Sequence, residues 1–146
     1  MGLYHHAGNG YSDSMYDANI REVVIKAAIN TLTAYKSKFD VIVCTGYSGM
    51  VIAPIVAYAI NKPLLIVRKD GESAHSCLKV MGQLGDRYVI VDDFVCTGAT
   101  VKRIIKEVKV RHKNGSLPAP KFVGMYLYED ISTGEYNDIP RWRDKQ

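Results

Sequence analysis

The chain has 146 residues, of which 47% are hydrophobic and 23% are charged, and its net charge is +4 at pH 7. These values are ordinary for one globular domain that folds without disulfide or metal staples, and the longest apolar stretches are far too short to cross a membrane. The mild basic charge suits a protein that handles phosphates, but it suits equally well a protein with no special partner.

Cysteine spacing and the amino-terminal sequence indicate the compartment. Cys44, Cys77 and Cys96 lie far apart and form no C-x-x-C pair, which predicts reduced thiols in a cytoplasmic protein. The first residues lack a basic region followed by an apolar core, so no secretory signal is expected.

Apolar segments with two different periodicities alternate along the chain. Runs rich in β-branched residues predict four strands, at 41–45, 64–67, 88–91 and 121–128. Helical spacing predicts helices over 12–40, 49–61 and 99–115. Strands that are apolar throughout and alternate with helices are typical of a parallel sheet covered on both faces. The predicted fold is therefore α/β, a three-layer domain with a mainly parallel sheet flanked by helices.

The predicted helices carry caps and polar faces. Ser12, Asp13 and Ser14 are candidate caps of the first helix. Its apolar face is predicted from Ile20, Val23, Val24, Ala27 and Leu32. Pro54 is expected in the first turn of the second helix. The third helix carries Lys102, Lys106, Lys109 and Lys113. We interpret these lysines as a solvated face, so nucleic acid is not an expected partner.

The domain organisation follows from the order of these elements. We expect one domain over residues 1–146 with a core of about 38–128. Residues 1–16 and 129–146 are expected to form hood or tail segments.

Unusual loops follow three of the predicted strands. They read TGYSG at 45–49, RKDGESAH at 68–75 and DDFVCTGAT at 92–100. Ligands bind beyond the carboxyl ends of the strands in such sheets, so we expect the three loops to meet at one site. The whole segment 68–87 is charged and irregular, which predicts a functional or disordered stretch.

The adjacent acids Asp92 and Asp93 stand before a turn of small residues that opens a helix. Such a turn exposes several backbone N–H groups at the positive helix end, which suits a phosphate, although a plain strand-to-helix turn capped by Thr97 has the same sequence. The acids could bind a metal as in receiver domains, but the fourth strand ends without a clear lysine partner. Their place beside the turn favours carboxylates that bind the vicinal hydroxyls of a ribose.

These segments resemble one enzyme family. VIVDDFVCTGAT (89–100) looks like the phosphoribosyl-diphosphate signature of the type I phosphoribosyltransferases. VIVCTGYSGMVIA (41–53) resembles the pyrophosphate loop of that family, in which a non-proline cis peptide is often found. LLIVRKDGESAH (64–75) is similar to the mobile catalytic loop of the orotate branch.

The resemblance implies a set of site residues. Those implied for phosphoribosyl diphosphate are Asp92, Asp93, Val95, Cys96, Thr97, Gly98, Ala99 and Thr100. Those implied for pyrophosphate are Thr45, Gly46, Tyr47, Ser48 and Gly49. Lys69, Arg68 and His75 are implied to be catalytic, with Lys79 a weaker candidate in the same loop. Mg²⁺ is the implied cofactor, held by Asp92 and Asp93 directly or through water or the ribose.

The resemblance also implies an activity. The expected reaction transfers the 5-phosphoribosyl group from phosphoribosyl diphosphate to a nucleobase and releases pyrophosphate, in a protein that is often a homodimer. Cys96 stands where hypoxanthine-guanine enzymes of the family carry an aspartate, which argues against a 6-oxopurine and leaves the base open. The aromatic candidates for the base site are Tyr4, Tyr11, Tyr126, Tyr136 and Trp142. The alternative is a non-catalytic regulator that binds phosphoribosyl diphosphate or a nucleotide.

Overall fold

A computed structural model describes residues 13–72, 77–95, 97–112, 118–129 and 141–142. Within these ranges the helices are α1 (Ala18–Ala34), α2 (Gly46–Met50), α3 (Ala53–Ile60) and α4 (Ala99–His112), with short 3-10 helices at Asp13–Met15 and Lys36–Lys38. The strands are β1 (Val41–Thr45), β2 (Leu64–Val67), β3 (Val80–Gly82), β4 (Arg87–Asp92) and β5 (Lys121–Leu127). None of these helices has the length and apolar character needed to cross a bilayer.

The strands form one sheet in the order β3-β2-β1-β4-β5. All neighbouring pairs are parallel except β2 and β3, which are antiparallel. The predicted α/β fold with a mainly parallel sheet is therefore confirmed, and the four predicted strands are β1, β2, β4 and β5. Strand β3 lies in the segment that we predicted to be irregular. It has only three residues, of which Val80 alone is buried, so it is too short to show a periodicity.

The sheet separates two apolar layers. Ile42 and Cys44 of β1 pack in the layer formed with α1 and α3, whereas Val41 and Val43 pack with α4 on the other face. Every residue of β1 is buried, which explains the continuous apolar run in its sequence. This central strand delivers Thr45 and the loop that follows it to the carboxyl edge of the sheet.

The inward face of α1 was predicted in part: Leu32 is buried and Val24 packs against the core as expected, but other members of the predicted face do not. Ala28, Thr31 and Leu32 are its buried residues. Ile20 and Val23, which we assigned to the apolar face, are 50% and 68% exposed. Val24 packs against the core, and Val23 lies about 100° around the helix from it. Ile20 belongs to the first turn of α1, which precedes the residues that contact the core. Near-helical spacing alone did not identify the side that meets the sheet.

The cap of α1 also differs from the prediction. The helix begins at Ala18, and the Asp17 carboxylate accepts hydrogen bonds from the amides of Asn19 and Ile20. We expect Asp17→Ala to lower the free energy of unfolding by about 1 kcal/mol, because two amides lose their acceptor. Asp17→Asn keeps an acceptor and should remain close to the parent protein in urea denaturation. Equal midpoints for the two variants would contradict this assignment.

The single helix predicted over 49–61 is two helices. Helix α2 ends at Met50, and Ile52, with φ −125°, caps the separate helix α3. Pro54 lies in the first turn of α3, as predicted. The break allows α2 to follow the edge of the sheet while α3 packs against α1.

Trp142 ties the carboxyl-terminal part of the chain to the core. Its indole is 4% exposed and stacks on the Tyr35 ring, with 4.8 Å between ring centroids. Gly124 of β5 leaves the space for it, since a Cβ there would lie 2.4 Å from the indole. Trp142 and the buried Met15 both pack in the apolar core. Residues on either side of the predicted core of 38–128 therefore contribute to it.

Candidate active site

A cleft of about 240 Å³ opens at the carboxyl edge of the sheet. It is lined by Thr45, Ser48, Lys69, Ile90, Asp92, Asp93, Phe94, Val95, Thr97, Gly98, Ala99, Thr100, Val101 and Leu127. Residues from all three unusual loops line it, so the loops meet at one site as the parallel topology predicts.

The acid pair forms the floor of this cleft. Asp92 and Asp93 are 7% and 8% exposed. The Ser48 hydroxyl and the Asp93 amide donate to Asp92 Oδ1 at 2.8 Å and 2.9 Å, and the Phe94 amide donates to Asp93 Oδ1 at 2.8 Å. The pKa of Asp92 is raised to about 7 by burial and, to a smaller extent, by the neighbouring Asp93 carboxylate, although the hydrogen bond from Ser48 lowers it. In the ligand-free protein the negative charge of Asp92 is therefore poorly compensated by its neighbours.

A turn at the amino end of α4 forms one wall. Gly98 has φ +77°, a conformation that glycine adopts without strain. The Thr97 hydroxyl accepts a hydrogen bond from the Ala99 amide at 3.3 Å. Thr97 thus caps the turn locally, as expected for a plain strand-to-helix turn. The same turn also lies directly beside the acid pair. Amides of the first turn of a helix have no partner within it, so this wall suits an anion.

The loop after β1 forms another wall of the cleft, where it begins the short helix α2. Gly46 has φ +62°, and a Cβ there would lie 2.5 Å from Cε and 2.9 Å from Nζ of Lys69. The Lys69 ammonium therefore lies directly over Gly46. Every peptide bond in the described ranges is trans, so the cis peptide that the family resemblance implied is not found in this loop. The positive φ of Gly46 turns the chain instead.

The two neighbouring cations of the second loop lie in different places. Lys69 lines the cleft, whereas the Arg68 guanidinium donates to the carbonyls of Glu72 and Leu78, the latter at 3.2 Å. Arg68 thus braces the base of the loop that carries Lys69. Lys79 lies 3.1 Å from Asp70 in an exposed ion pair, outside the cleft.

A family model for the phosphoribosyl transferase domain matches residues 12–112, which is more than half of the chain. The chain belongs to the type I phosphoribosyltransferase family. The family resemblance read from the three loops is therefore confirmed.

Two of the sequence relatives of this chain carry different names, one an enzyme and one a regulator. Orotate phosphoribosyltransferase of Methanocaldococcus jannaschii is 39% identical over 74 residues, which cover 49% of this chain and 40% of that protein. Transcriptional regulator GfcR of the same organism is 28% identical over 131 residues, covering 84% of this chain and 59% of the regulator. The chain thus matches less than two thirds of the length of either relative.

A solved structure shows the same fold. Adenine phosphoribosyl transferase from Trypanosoma brucei, in complex with AMP, pyrophosphate and ribose-5-phosphate, has a TM-score of 0.63 and 14% identity. The alignment covers 90% of this chain and 66% of that structure. At this identity the likeness concerns the fold alone.

Two further residues contact the cleft loops and were not predicted. The Tyr128 hydroxyl donates to the Ser48 carbonyl at 2.6 Å, and its pKa is raised by burial and by the nearby acids. Tyr128 directly follows β5, so the rule that sites lie at strand ends could have identified it. Arg103 Nη2 donates to Thr45 Oγ1 at 2.9 Å. It lies in a helix rich in lysine, where no sequence signal distinguishes it.

Not every predicted site residue is described by the structure, and some of those described do not line the cleft. His75 and Cys96 lie outside the described residues, as do Tyr4, Tyr11 and Tyr136. Tyr126 and Trp142 are 8% and 4% exposed and belong to the apolar core. Tyr47 of the pyrophosphate loop is 84% exposed, and Gly49 packs against Cys44 and the Val91 carbonyl. Gly49 is thus needed for close packing whether or not a ligand contacts it.

Proposed function

We propose that the protein is a nucleobase phosphoribosyltransferase, which transfers the 5-phosphoribosyl group from phosphoribosyl diphosphate to a nitrogenous base and releases pyrophosphate. The observation that carries this proposal is the convergence of four features in one cleft: the acid pair, the turn before α4, the loop after β1 and Lys69. Membership of the family supports it. A plain strand-to-helix turn would not require the other three features.

The turn from Val95 to Thr100 is the proposed site of the 5-phosphate. The first backbone amides of α4 lie at the positive end of the helix dipole, where they can donate hydrogen bonds to a phosphate. The Thr97 and Thr100 hydroxyls, which line the cleft, add two further donors. The ribose then extends from this turn toward the neighbouring carboxylates. Asp92 and Asp93 are the proposed acceptors for its two hydroxyls.

The acid pair also suits Mg²⁺. Carboxylate oxygens are hard ligands, and Mg²⁺ is usually held by one or two carboxylates together with substrate oxygens and water. Two buried acids are present, and no cluster of three or more acidic, histidine or cysteine ligands occurs among the described residues. This donor set fits a cation that is shared with a substrate. When bound, Mg²⁺ would supply a positive charge to the pyrophosphate oxygens.

The other end of the cleft is the proposed pyrophosphate site. Carbon–oxygen cleavage leaves negative charge on pyrophosphate, and fixed donors that meet this charge lower the barrier. The amides of Gly46 to Gly49 and the Ser48 hydroxyl are the proposed donors. Lys69 would neutralise the departing group from above Gly46. The loop that follows Lys69 is the proposed lid that excludes water, so that the oxocarbenium-like centre reacts with the base.

Lys69→Ala should impair the proposed pyrophosphate site and leave the proposed 5-phosphate site intact. Turnover is expected to fall by about 100-fold, because one charge that stabilises the leaving group is lost. Binding of ribose 5-phosphate should stay within about twofold of the parent protein, because the turn before α4 is untouched. Lys109→Ala removes the same charge from the exposed face of α4 and serves as the matched control. Unchanged turnover in Lys69→Ala would remove this residue from the site.

A panel of bases tests the proposed reaction. Orotate, adenine, guanine, hypoxanthine, xanthine and uracil are each incubated with the protein, phosphoribosyl diphosphate and Mg²⁺, and released pyrophosphate is measured. Release with one base establishes the reaction and names that base. Cys96 makes the 6-oxopurines guanine, hypoxanthine and xanthine the least expected substrates. A homodimer remains part of this proposal and is measured in parallel by light scattering.

The likeness to Transcriptional regulator GfcR over 84% of the chain favours a second candidate function. In that case the same cleft would sense phosphoribosyl diphosphate or a nucleotide without turnover. Tight binding of phosphoribosyl diphosphate with no pyrophosphate release for any base of the panel would select this function.

A further inference from the structure

We propose that Arg103 is a positioning residue, which fixes the pyrophosphate end of the cleft through Thr45. The proposal rests on the proposed function above, because it concerns how the cleft binds phosphoribosyl diphosphate. It starts from one contact: Arg103 Nη2 donates to Thr45 Oγ1 at 2.9 Å in a part-buried environment.

Thr45 is placed to transmit this contact. It is the last residue of β1, is 1% exposed and lines the cleft. Its hydroxyl accepts from Arg103 and donates to the Val67 carbonyl, two residues before Lys69. A single hydroxyl group therefore joins α4, the end of β1 and the end of β2. The next residue along the chain is Gly46, over which the Lys69 ammonium lies.

Arg103 comes from the helix whose amino end forms the phosphate turn. It lies four residues after Ala99, which is about one turn of α4. Because a helix is rigid over one turn, the bond from Arg103 to Thr45 fixes the distance between the phosphate turn and the loop after β1. Phosphoribosyl diphosphate would contact both of these walls, whereas ribose 5-phosphate would contact only the first.

The charge of Arg103 acts in the same region. The pKa of Asp70, the residue after Lys69, is lowered first by Lys79 and further by Arg103 and Lys106. The guanidinium is thus close enough to the second loop to affect its charges. Arginine, with its planar fork of donors, can hold Thr45 in a defined direction while it adds positive charge. Lysine at this position would keep the charge but not the fork.

The test compares two ligands in calorimetric titrations. Arg103→Gln is expected to weaken binding of phosphoribosyl diphosphate with Mg²⁺ by about tenfold, the usual worth of one charge-assisted hydrogen bond. Binding of ribose 5-phosphate should change by less than about twofold. Arg103→Lys should fall between the parent and Arg103→Gln. Lys109→Gln, which loses the same charge on the exposed side of α4, should bind both ligands as the parent protein does.

Variants of Thr45 give a second route to the same answer. Thr45→Val removes the hydroxyl at nearly constant volume and should weaken binding of phosphoribosyl diphosphate at least as much as Arg103→Gln, because it also removes the bond to the Val67 carbonyl. Adding Arg103→Gln to Thr45→Val should weaken binding little further, because the bond that Arg103 makes to Thr45 is already absent. If Arg103→Gln melts well below the parent, the ratio of the two ligand affinities in Arg103→Lys and in Thr45→Val still decides the outcome.

Two results would overturn the proposal while leaving the proposed function intact. The first is equal weakening of both ligands, which indicates a merely structural bond. The second is binding of phosphoribosyl diphosphate by Arg103→Gln that matches the parent. A parent protein that is folded but does not bind phosphoribosyl diphosphate would overturn the proposed function and this inference together.

Discussion

Asp92→Asn is expected to stabilise the ligand-free protein and to weaken its binding of phosphoribosyl diphosphate strongly. In the folded protein burial raises the pKa of Asp92 to about 7, whereas an aspartate in the unfolded chain titrates near 3.8. The folded state therefore binds the extra proton, and stability is lost as pH rises from about 4 through about 7. An amide carries no charge to desolvate, so the variant should gain about 1 to 4 kcal/mol over the parent at pH 8 and little at pH 4.

Binding should move in the opposite direction. The amide side chain of this variant can still accept the bonds that Asp92 receives from Ser48 and the Asp93 amide, but it offers neither a charged acceptor to a ribose hydroxyl nor a ligand to Mg²⁺. Loss of two charge-assisted contacts corresponds to an affinity lower by about 100-fold or more. The measurements are thermal melts at several pH values and calorimetric titrations with phosphoribosyl diphosphate and Mg²⁺.

Asp40→Asn is the matched control for Asp92→Asn. Asp40 lies at the opposite end of the sheet, where the Arg87 guanidinium beside it holds the pKa of its carboxyl below the usual value. The sign is therefore reversed, and Asp40→Asn should lower stability at neutral pH and leave binding unchanged. A destabilised Asp92→Asn variant with intact binding would show that the acid pair serves the fold and not a ligand.

Gly46→Ala is expected to reduce turnover about as much as Lys69→Ala, by about 100-fold. The new Cβ would lie 2.5 Å from Cε and 2.9 Å from Nζ of Lys69, so the ammonium must leave its place over the loop. The backbone adds strain, since Gly46 has φ +62°, which alanine adopts at a cost of about 1 kcal/mol. Steady-state kinetics with the base selected by the panel would measure the loss.

Two comparisons separate the collision from the strain. Gly71→Ala shares the strain, with φ +83°, but its Cβ would meet nothing within 4 Å. Its melting temperature should fall about as far as that of Gly46→Ala. In the Lys69→Ala background, Gly46→Ala should cost little further turnover, because the group that it displaces is already absent. A full additional loss of about 100-fold in that background would place the effect in the loop itself and not in Lys69.

The sequence predicted the parts of this protein in which one physical cause dominates. Strands buried on both faces need a continuous apolar run, so β1 and β4 could be located within a few residues. The carboxyl ends of parallel strands share one edge, so the meeting of Lys69, Ser48 and Asp92 in one cleft could also be predicted.

Features that depend on three-dimensional partners could not be predicted. The inward face of α1 depends on which side meets the sheet, and Ile20 and Val23 fit the spacing without being buried. Trp142 belongs to the predicted tail, and its burial depends on the space left by Gly124 and on the stack with the Tyr35 ring. Arg103 differs from its lysine neighbours through a contact with Thr45, 58 residues earlier in the chain. Sequence spacing carries no signal for contacts of this kind.

Calorimetric titration of the unmodified protein with phosphoribosyl diphosphate tests whether the cleft binds this ligand. We expect saturable binding to one site per chain, stronger with Mg²⁺ than without it, and competition by both ribose 5-phosphate and pyrophosphate. A folded protein that binds none of the three, with or without Mg²⁺, would contradict the assignment of the cleft.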